Sequence, residues 1–224
     1  MLTAGGGDGA QAQEALARLC RTYWYPLYAY VRGRGQGPED AQDLTQEFFA
    51  RLLAKESLAR ITRDKGKFRS FLLVSLNHFL TDEWKRAKAL KRAGGQIISL
   101  DAASAETRYA HEPADPATPE TIFEKNWALA LLNEVFEQLQ QEYRSAGKGE
   151  FFEHLKFCLT GERSAIPYVE LASRMGLSEG ALKVAVHRLR QRYRELLRAE
   201  VAHTLSNPQD VEAELRYLFG VLAA

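Results

Sequence analysis

Apolar positions recur at intervals of three and four along most of the chain, the spacing of one face of an α-helix. From Gln13 to Arg32 the face is Leu16, Leu19, Tyr23, Leu27 and Tyr30 or Val31, inside a crowded aromatic run of Tyr23, Trp24, Tyr25, Tyr28 and Tyr30. Core packing accounts for most of that run, and Pro26 predicts a kink. A Gly-rich loop at 33–37 is followed by Pro38, Glu39 and Asp40, a helix start whose acids oppose the positive end of the dipole. Leu44, Phe48 and Leu52 then stand on one side, while Glu39, Asp43 and Glu47 recur every fourth residue with Gln46 beside them. After a basic connector, Phe68, Phe71, Leu72, Val74, Leu76, Phe79, Leu80 and Trp84 make a helix apolar nearly all round in its first half, which predicts burial there. Its second half turns basic through Lys85, Arg86, Lys88, Lys91 and Arg92.

Residues 93–120 read as a linker, with Gly94, Gly95, several acids and Pro113, Pro116 and Pro119. Thr118 or Thr121 is expected to cap a helix carrying Ile122, Trp127, Leu131, Val135 and Leu139, with Phe136 filling beside them. A short helix at 151–159 follows the break at 145–150. The stretch from Tyr168 to Arg198 then reads as two helices joined by a tight turn. Val169, Leu171 and Ala172 give the first an inner face, Gly176 suits a turn with positive φ, and Ser178 caps the second. In that second helix Leu182, Val186, Leu189, Tyr193 and Leu196 form the buried face, with Lys183, His187, Arg190 and Arg194 as a cationic stripe beside it. Beyond it, Asn207 and Pro208 start an amphipathic helix lined by Val211, Leu215, Leu218, Phe219 and Leu222 and carrying Asp210, Glu212 and Glu214.

The expected fold is therefore all-α, with two small helical domains, a flexible linker and a C-terminal amphipathic helix. The boundaries are a mobile N-terminus at 1–12, a helical domain at 13–92, the linker at 93–120, a helix-turn-helix domain at 121–200 and an extension at 201–224. The terminal helix is expected to pack on its own domain; a sharper expectation is that its acids partly screen the basic reader.

The net charge of +1 says little, but its distribution does. Residues 63–92 hold nine Lys or Arg against three acids, while 101–124 hold one Arg against six. Such segregation points to one surface for phosphate and others for different partners. Cys20 and Cys158 are isolated, the five His residues lack metal-ligand spacing, and neither a phosphate cradle nor a nucleophile motif is present, so no cofactor, metal or enzymatic activity is expected. Lacking a run of about 20 apolar residues, the chain is expected to be cytoplasmic, with no membrane contact.

Cations interleaved with rings near Trp84 suit single-stranded nucleic acid, because bases stack on aromatic faces while phosphates follow the charge. The acidic spacing at Asp43 and Glu47 suits either a solvated face or docking to a basic partner. In the helix-turn-helix, Lys183, His187 and Arg188 can reach base edges, and Arg190, Arg192, Arg194 and Arg198 can meet phosphate. A ligand-sensing or dimeric helix-turn-helix regulator is the competing reading, and it requires palindromic half-sites about one helical turn apart.

Two stretches together, DLTQEFFARLL at 43–53 and LASRMGLSEGALKVAVHRLR at 171–190, resemble a bacterial RNA polymerase sigma factor of the short extracytoplasmic-function type. The resemblance implies that Asp43, Gln46 and Glu47 face the clamp of the core polymerase's largest subunit. It implies that FRSFLLVSLNHFLTDEWKR, with His78, Asp82, Trp84, Lys85, Arg86 and Lys88, opens and holds the promoter near the start site as single strands. His78 and Asp82 fall where the family often has Asn and Asp. In the reader, Ser178, Lys183, Val184, His187, Arg188, Arg190 and Arg192 would meet the upstream duplex element. The resemblance leaves open an anti-sigma partner or intramolecular regulation by the C-terminal helix.

Overall fold

The computed structural model describes residues 9–54, 66–90, 109, 118–159 and 167–223, without the side chains of 9–17, 53–54 and 87–90. Of the N-terminus expected to be mobile at 1–12, residues 1–8 lie outside the described residues, as do most of the connector before Phe68 and nearly all of the linker, whereas residues 9–12 already form the first turn of helix. Among those residues there are eight α-helices: α1 (Gly9–Gly33), α2 (Pro38–Ala54), α3 (Phe68–Leu90), α4 (Pro119–Ser145), α5 (Gly149–Leu155), α6 (Tyr168–Arg174), α7 (Glu179–His203) and α8 (Val211–Ala223). Single 3-10 turns at Lys156–Cys158 and Pro208–Asp210 complete the set. The one backbone pairing of β type among them is an isolated antiparallel bridge between Lys67 and Leu205. The all-α reading holds.

Two compact units divide the chain, one ending its first part at Ala130 and resuming at Val201, the other running from Leu131 to Glu200. Unit 1 is built on the aromatic run: Tyr23, Leu27, Tyr28, Tyr30, Leu72, Leu76, Phe123 and Trp127 are all fully buried. Burying Tyr and Trp leaves polar tips to satisfy, and they satisfy one another. Trp127 Nε1–H donates to Tyr23 Oη at 3.2 Å, while Tyr30 Oη lies 2.9 Å from Asn77 Oδ1 and 3.1 Å from Glu120 Oε1. Helices α1, α3 and α4 are thereby tied by one small polar network. Phe48 of α2 meets Phe79 of α3 with ring centroids 5.8 Å apart.

This changes the expected boundaries. The expected helix-turn-helix domain begins at residue 121 and so takes in α4 from there on, whereas the first half of α4, with Phe123, Trp127 and Ala128, is core of unit 1. The reason is chemical, since Trp127 needs an acceptor and Tyr23 supplies it. Thr118 is the cap of α4, its Oγ1 accepting from Thr121 N–H at 3.2 Å. The terminal segment is likewise part of unit 1, where the sequence reading joined it to the domain it follows. Asn207 caps as expected, Oδ1 accepting from Gln209 N–H at 3.1 Å.

Unit 2 gathers Leu131, Val135 and Leu139 of α4, Phe152 and Leu155 of α5, Leu171 and Ala172 of α6, and Leu182, Val186 and Leu189 of α7 as buried side chains. Val169, expected on the inner face of α6, is instead 63% exposed. Gly176 stands at φ +64, and Leu177 N–H bonds back to Ala172 O at 2.9 Å, the closing hydrogen bond of a left-handed helix stop.

Candidate nucleic-acid interface

Three surfaces carry the residues singled out by the sequence. On α2, Gln46 and Glu47 are exposed and Asp43 is half-buried. Glu47 pairs with Arg51 one turn on, and Arg51 reaches Glu83 of α3 at 2.7 Å with its guanidinium 4.8 Å from the Phe79 ring. Glu83 also holds Arg86 at 2.8 Å. Burial pulls the Arg51 guanidinium down, but hydrogen bonds to Glu47 and Glu83 outweigh it and leave the group above its ordinary pKa. This alternating row fastens α2 to the later turns of α3.

On α3, residues at i, i+4 and i+7 share a face, so His78, Asp82 and Lys85 stand together, all exposed, with Val74 one turn earlier. Val74 was expected to be buried and is 55% exposed. It begins the outward stripe instead, since a helix packed on one side leaves the other to solvent. Trp84, 62% exposed, diverges from His78 by roughly 120° around the helix axis. The structure thus groups His78, Asp82 and Lys85, sets Trp84 on a different flank and engages Arg86 with Glu83. Lys88 belongs to α3, but its side chain, like the whole of Lys91 and Arg92, lies outside the described residues.

On the helix-turn-helix of α6 and α7, Ser178 Oγ accepts from Ala181 N–H at 3.2 Å and caps α7. Lys183, Val184, His187 and Arg188 are all exposed, and Lys183 pairs with Glu179 at 2.6 Å. A cleft of about 360 Å3 lies beside them, lined by Glu142, Tyr143, Lys148, Phe151, Ala185 and Arg188. Two arginines assigned to phosphate have other engagements. Arg190 Nε donates to Cys158 O at 3.0 Å. Arg192 forms two hydrogen bonds to Glu142, at 2.9 and 2.6 Å, and a third to Glu195 at 3.2 Å. The fork-on-carboxylate geometry holds the Glu142 carboxyl below its usual range, through the hydrogen bond from Arg192. Tyr193 Oη donates to Leu132 O at 3.1 Å, and burial pushes its hydroxyl up to about 12.

Sequence reasoning missed one cluster entirely. Arg69, buried at the start of α3, is paired with Glu214 of α8, and its Nε donates to Glu124 of α4 at 2.7 Å. The guanidinium lies between two rings, 4.5 Å from Trp127 and 4.7 Å from Tyr217. Lys67 adds a second cation, 2.8 Å from Glu214. Burial raises the Glu124 carboxyl, with Arg69 acting against that. The available signal was Arg69 itself, a cation set within Phe68, Phe71 and Leu72, where burial demands a paired acid.

No described helix is long and apolar enough to cross a membrane, and no group of three or more His, Cys, Asp or Glu among the described residues could hold a metal ion. No curated protein and no solved structure matches the chain. The family model of sigma-70 region 2 does, over residues 19–90, a span that runs from the first described core residue of α1 to the end of α3. The α1–α3 core, with the acidic and aromatic-cationic surfaces described above, is thus the part of the chain that is similar to region 2 of the sigma-70 family.

Proposed function

We propose that this chain is a sigma factor of the extracytoplasmic-function type, and its small size is consistent with that assignment. Asp43, Gln46 and Glu47 dock α2 on the clamp of the largest polymerase subunit. His78, Asp82 and Lys85 on one flank of α3, and Trp84 on another, engage the melted start-proximal element, with Arg86 and Lys88 adding charge. Lys183, Val184, His187 and Arg188 of α7 read the upstream duplex from a helix capped by Ser178, while Arg190 and Arg192 hold unit 2 together and contact DNA only by exchanging partners.

The observation that carries this reading is the match of residues 19–90 to region 2. Its physical support is the exposure of a large aromatic side chain next to Lys85 and Arg86. A ring in that setting offers a stacking platform worth about 1–3 kcal/mol per base. The test is capture of core polymerase by the full chain and by Asp43→Lys plus Glu47→Lys. The double variant reverses the charge of the α2 face and loses core binding by at least about tenfold, as expected where like charges meet across an interface. Gln46→Lys loses less, in the same direction. Undiminished capture by the double variant overturns the docking assignment, and transcription from the same start sites without the protein overturns the whole reading.

A further inference from the structure

We propose that Glu214 is a positioning residue for α3, so that the C-terminal helix α8 acts as a built-in brace of the promoter-opening surface. The inference rests on the reading of α3 just given and names a regulator of that site within the chain itself.

Glu214 is 1% exposed, and an ionised group so placed persists only with partners of opposite charge. It has two, Arg69 and Lys67, and both stand at the first turn of α3 or immediately before it. Glu124 also pairs with Arg69, which leaves two acids against two bases in the cluster. Geometry adds to charge. The Tyr217 ring lies 4.7 Å from the Arg69 guanidinium and 5.1 Å from the Lys67 ammonium. Phe68 N–H donates to Thr204 O at 3.0 Å, and Lys67 and Leu205 pair as a one-residue bridge. Backbone, ring and carboxylate from residues 204–217 therefore all close on residues 67–69.

The other end of α3 is held separately, by Arg51 on Glu83 and Phe79. Between these ends Leu72 and Leu76 pack in the core and Asn77 accepts from Tyr30, so loosening the first turn tilts α3 about its middle and does not free it. From Arg69 to Asp82 is thirteen residues, roughly 20 Å at 1.5 Å per residue, so a small tilt at the first turn moves the exposed stripe appreciably. A surface residue would not carry this load. Glu214 carries it because its burial leaves the carboxylate no alternative partners.

The test uses the full chain with core polymerase and a promoter carrying 2-aminopurine in the start-proximal element, with core affinity measured in parallel. Glu214→Gln keeps the shape and removes the charge. It lowers the yield of opened promoter about tenfold, within the range that coupling through packed networks carries, with core affinity within about twofold of wild type. Glu214→Asp, which keeps the carboxylate, recovers part of the loss; a purely steric role would not be rescued this way. Tyr217→Ala, a half-exposed position that leaves the fold intact, gives a loss of about threefold. Should Glu214→Gln prove unfolded by circular dichroism, Tyr217→Ala decides, a threefold loss supporting the brace and an unchanged yield overturning it. Opening by folded Glu214→Gln equal to or above wild type overturns it as well. Failure of the wild-type chain to open the promoter with core polymerase tells against the functional reading itself.

Discussion

Arg69 in unit 1 and Arg192 in unit 2 are each gripped by two carboxylates, yet they stand in opposite surroundings. Arg69 is 4% exposed and lies between Trp127 and Tyr217, whereas Arg192 is 46% exposed and meets Glu142 and Glu195 in water. The same Coulomb pair is worth about 1 kcal/mol in bulk water at 4 Å and about 4 kcal/mol at an effective dielectric of 20. Burial also exacts desolvation, so the dry pair matters less for net stability than for fixing geometry, because its members have no substitute partners. The wet pair can be exchanged for phosphate or solvent. One unit thus uses charge as internal architecture, and the other keeps charge available at its surface.

The largest expected effect comes from breaking the dry cluster. Arg69→Ala leaves Glu124 without its cation and Glu214 with Lys67 alone, and lowers the stability of the chain to urea by about 3–5 kcal/mol; a loss under about 1 kcal/mol would place the cluster with ordinary surface pairs. Next in size is the surface of unit 2 proposed to read duplex DNA. Arg188→Ala or Lys183→Ala costs about 1–3 kcal/mol of discrimination between the correct and a mismatched upstream base, measured by competition of promoter variants in the polymerase complex. An equal weakening across all variants would instead assign that residue to phosphate.

The smallest effect is at the wet pair, and it carries a pH signature. Arg192→Gln costs less than about 1 kcal/mol near neutrality. The Glu142 carboxyl is held below its unfolded pKa, so its contribution is present above that value and is lost as pH falls through the lower, folded one. The gap between Arg192→Gln and wild type therefore closes on acidification through the carboxylate range. Glu124 has the opposite sign: its folded pKa is raised by burial, so the folded state takes up its proton first and this group favours folding as pH falls. Urea titrations of Arg192→Gln and Glu124→Gln over the same pH series separate the two trends.

Much of unit 2 was legible in the sequence because its rules are local. Leu182, Val186 and Leu189 declare their face by spacing, Gly176 declares its turn by needing positive φ, and Ser178 declares its cap. The acidic face of α2 and the exposed Trp84 were legible for the same reason. What escaped detection depends on partners far away in sequence. Nothing within α4 says that Trp127 serves Tyr23, 104 residues earlier, while Leu139 on the same helical face lies in the other unit. Glu214 looks like one acid among several on a solvated helix until Arg69 is placed beside it. Arg190 and Arg192 show the converse failure, for a cation on a basic stripe was read as facing phosphate, and its acceptor inside unit 2 could not be foreseen from spacing.

The discontinuous make-up of unit 1 has a bearing on how the chain is made. Translation proceeds from the amino end at about 5–20 residues per second, and domains ordinarily fold as they emerge, the first one first. Here Leu131–Glu200 are all synthesised before Val201 and the residues that meet Lys67 and Arg69 exist. A chain interrupted after Glu200 would therefore hold all of unit 2 but leave unit 1 without the residues of 204–217 that close on Lys67 and Arg69.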